Sequence, residues 1–323
     1  MTKIISLHDA AQMEYAYQSD IKSGKIIPST SGYRFIDTRL LGGANDTDII
    51  MISALSGVGK STLGLRIGYN LATLNKNNRV LYFSFEMPGR KLTAKLLAQD
   101  IQQSLKEMYS SDTDLIDRQF FDGFKDIPFD IIDTPIDVNV IGAKCNEYCA
   151  LYPNDRCHFI FDHSMIVKNI KGDNSMETLE ALSVMCNETK KIGSRVYWII
   201  SQLNDKIQDH ARLSKPSGQI PRMEDIYGSK TVAHVCNNII ALVKPSEMNL
   251  PNHNKFGPNK LPWVLRYTKR PELGSPNIIY AVTMKARDGS LGIDPLLDNL
   301  KNSELVELDI NALDKFKQAY NLT

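Results

Sequence analysis

Apolar residues in this chain fall in short unbroken runs separated by stretches of helical period. The runs lie at 48–54, 79–85, 129–133, 158–162, 195–201, 238–243 and 278–284, and each reads as a buried strand. Between them the spacing predicts helices over 63–74, 91–108, 138–151 and 175–191, with an amphipathic helix over 6–22 and a weaker one over 305–322. Strands and helices alternate in this way when helices cross over between parallel strands. The pattern therefore predicts an α/β fold with a mostly parallel central sheet. Residues 29–46 are turn-rich, 204–220 are polar and read as a mobile loop, and 245–276 form an excursion rich in Pro and Asn. The 6–22 helix places Leu7, Ala10, Ala11, Tyr15 and Tyr17 among polar residues. It cannot bury that face alone, so it packs either on its own core or on a neighbouring subunit.

With 323 residues, the chain is long enough for one large core or a core with a small appendage. No apolar run approaches the length of a membrane span, and the first residues lack the basic start and apolar middle of a signal peptide. A cytoplasmic protein with no membrane partner is expected. Its five cysteines form no C-x-x-C pair, so reduced thiols are expected rather than disulfides or zinc. The net charge is only +1, so any nucleic-acid binding must come from local basic patches.

The run at 48–54 leads into Ser56, Gly57, Val58, Gly59, Lys60, Ser61 and Thr62, ahead of the helix at 63–74. Strand, glycine loop and helix are the parts of a phosphate-binding P-loop. Glycines let successive N–H groups turn inward and the helix N-terminus adds positive potential. Lys60 neutralises phosphate charge and the Ser61 hydroxyl can ligate Mg²⁺. The pattern G-x-x-x-x-G-K-[ST] begins here with Ala54 in place of glycine, a substitution small enough for the turn. ATP and Mg²⁺ are the expected ligands.

Ligands of open parallel sheets bind at the carboxyl ends of the strands. Three further strand ends carry suitable groups: Glu86 as general base for an attacking water, Asp162 as a Walker B residue for Mg²⁺, and Gln202 as a γ-phosphate contact. Taken singly they also read as a solvated turn residue, a helix cap and a backbone-bonded amide. Their coincidence with a P-loop favours an ATP hydrolase.

Six segments in order resemble the RecA-like ATPase domain of DnaB-type hexameric replicative helicases, including phage and mitochondrial relatives. They are Ser56 to Thr62, the run Phe83-Ser84-Phe85-Glu86-Met87-Pro88, then Ile132-Asp133-Thr134-Pro135, Phe161-Asp162-His163, Ser201-Gln202-Leu203-Asn204 and Met284-Lys285-Ala286-Arg287-Asp288-Gly289. The resemblance covers residues 32–298. It implies a RecA-like P-loop core in which Glu86 is the catalytic glutamate, Asp162 the Walker B aspartate and Gln202 the sensor that couples to DNA. It further implies that Lys285 and Arg287 reach the neighbouring subunit's nucleotide, with Arg287 as arginine finger. Without the resemblance, Lys285 and Arg287 read as a solvated strand end.

The resemblance also implies a homo-oligomeric, hexameric ring acting on single-stranded DNA, with a primase, polymerase or helicase loader as further partners. DNA would be gripped by loops carrying Lys168, Lys171, Lys206, Arg212, Lys215 and Arg222. The stretch Glu224-Asp225-Ile226-Tyr227-Gly228-Ser229-Lys230 is similar to the family's Asp-Leu-Arg-x-Ser-Gly segment but has Tyr227 for Arg and Lys230 for Gly. The first thirty residues have room for neither a separate N-terminal helical domain nor a primase, and resemble the linker helix that docks on the next subunit. The expected organisation is a linker arm over 1–28, an ATPase domain over 29–300 and a helical tail over 301–323. His163 after Asp162 is similar to phage relatives. The expected activity is ATP-driven, 5′ to 3′ translocation with unwinding at a fork. A RecA-like recombination or repair ATPase and a nucleotide-bound helicase loader remain as alternatives.

Overall fold

The structure is a computed structural model, and it describes residues 4–110, 122–162, 175–214, 218, 220–226, 230–248, 277–299, 302 and 304–308. Nine strands form one sheet in the order β3-β2-β4-β5-β1-β6-β7-β8-β9. They are β1 (Ile49–Ala54), β2 (Asn78–Ser84), β3 (Phe129–Ile132), β4 (Arg156–Asp162), β5 (Arg195–Gln202), β6 (Asn238–Val243), β7 (Asn277–Ala286), β8 (Gly292–Asn299) and β9 (Glu304–Glu307). The six strands from β3 to β6 in that order pair in parallel, and β7, β8 and β9 extend the sheet antiparallel. Every residue of β1 and β6 is buried, which is why these strands are written as continuous apolar runs.

The helices before β5 among the described residues are α1 (Leu7–Lys22), α2 (Arg34–Arg39), α3 (Lys60–Leu74), α4 (Gly89–Asp100), α5 (Leu105–Ser110), α6 (Val138–Leu151) and α7 (Ser175–Thr189). The crossovers through α3 and α4 step toward the β3 edge, whereas those through α6 and α7 step back across β4 and β5. With right-handed connections, the first pair covers one face and the second the other. Accordingly α3 packs on α4, and α6 on α7. The core between them is filled by Trp198, Tyr82, Tyr197, Phe83, Phe159 and Phe161, all fully buried.

Several expectations require correction. The helix expected over 91–108 is two helices, because α4 ends with Gln102 in the left-handed region at φ 54°. Gln103 N–H then bonds Ala98 carbonyl at 3.0 Å and Gln102 N–H bonds Gln99 carbonyl at 3.3 Å, a Schellman closure. The turn-rich 29–46 segment contains α2, whose first amides, Arg34 N and Phe35 N, donate to the Glu307 carboxylate of β9 at 2.9 and 2.6 Å. Glu304–Glu307 is thus a strand rather than the start of a terminal helix, and β8 was not foreseen. The 204–220 stretch is not a featureless loop: Asp205–Gln208 and His210–Leu213 are short helices that bury Ile207 and Leu213. Of the 245–276 excursion only Pro245–Met248 is described, as a 3₁₀ turn.

Ser6 caps α1 by accepting from Asp9 N–H at 3.1 Å. No residue of α1 is buried, and Leu7 and Tyr15 are 88% and 79% exposed. Among the described residues most of the apolar face of α1 is open to solvent, with Tyr17 part-covered beside Arg156 and Asp46.

Candidate nucleotide site

The phosphate loop is built by a strand that stops and a helix that starts within six residues. Ala54 ends β1 and Lys60 begins α3. Gly57 and Gly59 occupy φ of 78° and 99°, a backbone region in which a side chain is strained, so these two positions call for glycine. The opening N–H groups of α3 have no acceptor within the helix and face the loop. Lys60 is only 7% exposed and forms no ion pair among the described residues. Burial lowers its pKa, while Asp162 and Glu86 act in the opposite direction. A buried ammonium beside free amide donors fits a polyphosphate.

Asp162, at the end of β4, is 1% exposed. The Ser61 hydroxyl donates to its Oδ1 at 2.8 Å and the Tyr82 hydroxyl to its Oδ2 at 2.7 Å. Glu86 arrives next to this pair because Phe85 N–H continues the β2–β4 ladder by bonding the Asp162 carbonyl at 2.8 Å. Glu86 is exposed, and it lines one cleft with Ser56, Gly57, Gly59, Lys60, Ser61, Thr62, Met87 and Lys95. The donor set fits Mg²⁺: a serine hydroxyl and a carboxylate meet where the phosphates would lie.

Lys95 was missed by sequence reasoning. It stands on α4, nine residues after Glu86, and the readable signal is the helix start that follows Pro88. The Asp133 carboxylate accepts from Gly89 N–H at 2.7 Å and fixes that start. Asp133, part of a segment that carried the family resemblance, therefore acts as a clamp on α4. Val58 lies under the loop, 1% exposed, and does not line the cleft.

Gln202 ends β5 directly beside Ala54, the last residue before the loop, with Leu203 N–H bonding the Ala54 carbonyl at 3.0 Å. Like Asp162, it does not itself line the cleft, and it sits at the loop's base.

Lys285 and Arg287 are held elsewhere. Strand β7 runs antiparallel, pairing Ala286 with Asn238, the residue that opens β6 beside Ile50. Arg287 N–H bonds the Asn237 carbonyl at 3.0 Å, and Lys285 Nζ donates to the His234 carbonyl at 3.3 Å. Both cations thus lie at the amino end of the parallel strands. From Ile50 to Ala54 the sheet alone spans roughly 13 Å, before the phosphate loop begins. Burial and then the Arg287 charge lower the pKa of Lys285.

Among the cations expected to meet DNA, Lys168, Lys171 and Lys215 lie outside the described residues. Lys206 is exposed on the turn after β5, and Arg222 is exposed and contacts exposed Glu224 at 3.3 Å. Arg212 requires correction. Its guanidinium is paired in two-pronged fashion with Asp225, which is 1% exposed, and also donates to the Gly218 and Ile220 carbonyls at 2.8 and 3.2 Å. Those bonds commit its donors to the loop's own fold and remove it from the set of free cations. Asp225 also accepts from Arg222 N–H at 2.6 Å, so it organises the segment.

The model of the DnaB-like helicase C terminal domain matches residues 29–301. Two solved structures are similar in fold. One, a structure of an ATPase domain, has a TM-score of 0.73 at 18% identity, covering 95% of this chain and 100% of that one. The other, a DnaB-like replicative helicase studied with its interactions with primase, has a TM-score of 0.72 at 17% identity, covering 95% of this chain and 68% of that one. No curated protein matches the sequence. A family match over most of the chain, on a RecA-like sheet carrying a P-loop, places this protein in the DnaB-like helicase family, through its C-terminal ATPase domain.

Proposed function

We propose that this chain is the motor of a ring-shaped replicative helicase that hydrolyses ATP in the presence of Mg²⁺ and moves 5′ to 3′ on single-stranded DNA. The observation that carries the proposal is the division of the chemistry between the two ends of the sheet. Phosphate-binding groups and Glu86 converge at the carboxyl end of the parallel strands, while Arg287 stands at their amino end. An arginine so far from its own cleft can stabilise transition-state charge only on a neighbouring copy.

Lys60 and the α3 amides hold the phosphates, and Lys95 is positioned to add a second cation within the same subunit. Ser61 Oγ and Asp162 would hold Mg²⁺, directly or through water. Bound there, the ion would supply charge neutralisation at the phosphate oxygens. Glu86 orients and deprotonates the attacking water, and Gln202, next to the loop's base, relays nucleotide state to the segment carrying Lys206 and Arg222. The exposed face of α1 serves as the docking element for the next subunit, so that residues 1–28 act as an arm, 29–300 as the motor and 301–323 as a tail. Primase, polymerase or loader contacts belong to the assembled ring, acting in the cytoplasm, and a phage origin fits the same reading.

The test is unwinding of forked DNA with 5′ or 3′ tails by the wild type, Glu86→Gln and Arg287→Ala. Unwinding that requires a 5′ tail and is lost in both variants is expected. DNA-stimulated hydrolysis without unwinding of either fork rejects the helicase reading in favour of a recombination ATPase or loader.

A further inference from the structure

Helix α6 carries Cys145, Asn146 and Cys149 at spacings of three and four residues, which places them on one face of the helix. Asn146 Oδ1 accepts from Arg195 Nη1 at 3.0 Å, which fixes that face over the amino ends of β4 and β5. There Cys157 and Arg195 are directly paired on neighbouring strands. Cys157 is fully buried and Arg195 is 1% exposed, whereas Cys149 is half-buried. Arg195 Nη1 also donates to the Tyr197 hydroxyl at 3.2 Å, but its Nε–H has no acceptor.

A buried guanidinium N–H without an acceptor is costly, and a thiolate at Cys149 would supply one. The neighbouring Cys157 thiol, whose Sγ also lies 3.9 Å from the Asp155 carbonyl, lowers the Cys149 pKa, burial opposes this, and the Arg195 charge lowers it further. Its neighbour Cys149 and burial push the Cys157 thiol up. Cys145 and Cys186, fully buried nearby, are pushed up by burial and stay inert. Nothing in the nucleotide chemistry uses this cluster, which lies at the end of β4 away from Asp162.

We propose that Cys149 is a modification site for hydroperoxides, with Cys157 as the thiol that resolves the product into a disulfide. The Cys149 thiolate attacks the terminal peroxide oxygen and the O–O bond breaks. Sulfur is oxidised to the sulfenic acid, and the departing alkoxide or hydroxide takes a proton to leave as alcohol or water. Cys157 then attacks the Cys149 sulfur, the S–O bond breaks, and hydroxide leaves with the Cys157 proton as water. Two thiols and one hydroperoxide thus give one disulfide, one alcohol and one water when the peroxide is organic.

The full-length protein is treated with hydrogen peroxide and mapped without reduction. A Cys149–Cys157 cross-linked peptide is expected, together with a sulfenic acid on Cys149, trapped by a dimedone-type probe, in Cys157→Ala. As a measurement independent of that variant's folding, the pH dependence of Cys149 alkylation in the wild type should reach half-maximum well below the ~8.5 of a free cysteine. Peroxide treatment that leaves Cys149 and Cys157 reduced, or joins Cys149 to Cys145, overturns the proposal. So does a Cys149 alkylation midpoint at or above ~8.5.

Discussion

The Ser61 hydroxyl and the Asp162 carboxylate meet at 2.8 Å, although 101 residues separate them in the chain. The contact joins the first turn of α3 to the end of β4, and Tyr82, on the strand next to β4, supplies the second donor to the same carboxylate. Removing that donor with Tyr82→Phe is expected to cost about 1.5–3 kcal/mol, the range for a hydrogen bond to a charged group. Urea unfolding at pH 7 measures it, and an unchanged midpoint rules out a contribution from this bond.

Glu86→Gln keeps the shape of the cleft but removes the base. ATP binding should persist while kcat falls by about 10²–10⁴, the usual contribution of a positioned acid or base. Fluorescent-nucleotide titration and steady-state hydrolysis separate the two effects. Hydrolysis within threefold of wild type would assign the water to another residue.

Arg287→Ala should lower kcat by about 10³–10⁵ if it acts as an arginine finger. Acting on a neighbour, it should be rescued in mixtures: Arg287→Ala subunits combined with Glu86→Gln subunits recover some hydrolysis, because some interfaces then pair an intact base with an intact finger. Equal inactivity of the mixture and of each variant alone counts against action in trans.

Arg212 and Lys206 are expected to behave differently despite lying six residues apart. Arg212→Ala strands the buried Asp225 carboxylate and should cost about 3–5 kcal/mol of stability. Lys206→Ala should leave stability unchanged and reduce by about 1 the slope of log K against log salt for single-stranded DNA. Swapped outcomes would return Arg212 to the DNA-binding set.

His158 gives the fold a defined acid sensitivity. It is fully buried, where it meets the Trp198 indole N–H at 3.3 Å and the Ser29 hydroxyl at 3.2 Å, and burial lowers its pKa to about 3. The unfolded chain takes up this proton near pH 6.5, whereas the native state refuses it until about pH 3. The contribution to stability is therefore intact above about pH 6.5 and is lost progressively as pH falls toward 3. Asp48, raised to about 6 by burial, acts in the opposite sense, adding stability as pH falls from about 6 toward its ordinary value. Equilibrium unfolding followed by tryptophan fluorescence should show a weaker acid dependence in His158→Gln and a steeper one in Asp48→Asn. Parallel pH profiles in all three proteins would rule out both contributions.

The elements legible in the sequence were those whose signal is local. Strands β1, β4, β5 and β6 are buried on both faces, so each is spelled as an apolar run, and the P-loop carries its own glycines. Helix α2 was illegible because its cap, Glu307, comes from the other end of the chain. Strand β8, with Asp294, Pro295 and Asp298 among its apolar residues, shows neither a continuous run nor clean alternation. Lys95 looked like any helix-surface lysine until the Asp133 cap fixed the start of α4.

By itself the sequence determined the fold class, the phosphate loop, and the identity of Glu86 and Asp162 as candidate chemistry, because backbone preference and hydrophobic burial act over neighbouring residues. Only the tertiary structure decided which charges are free and which are committed. It bound Arg212 to Asp225, tied Asp162 to Ser61 and Tyr82, and set Arg287 at the end of the sheet away from the P-loop. An ionised side chain is defined by its distance to partners and its exposure to water, and both are fixed by strands that meet only after the chain has folded.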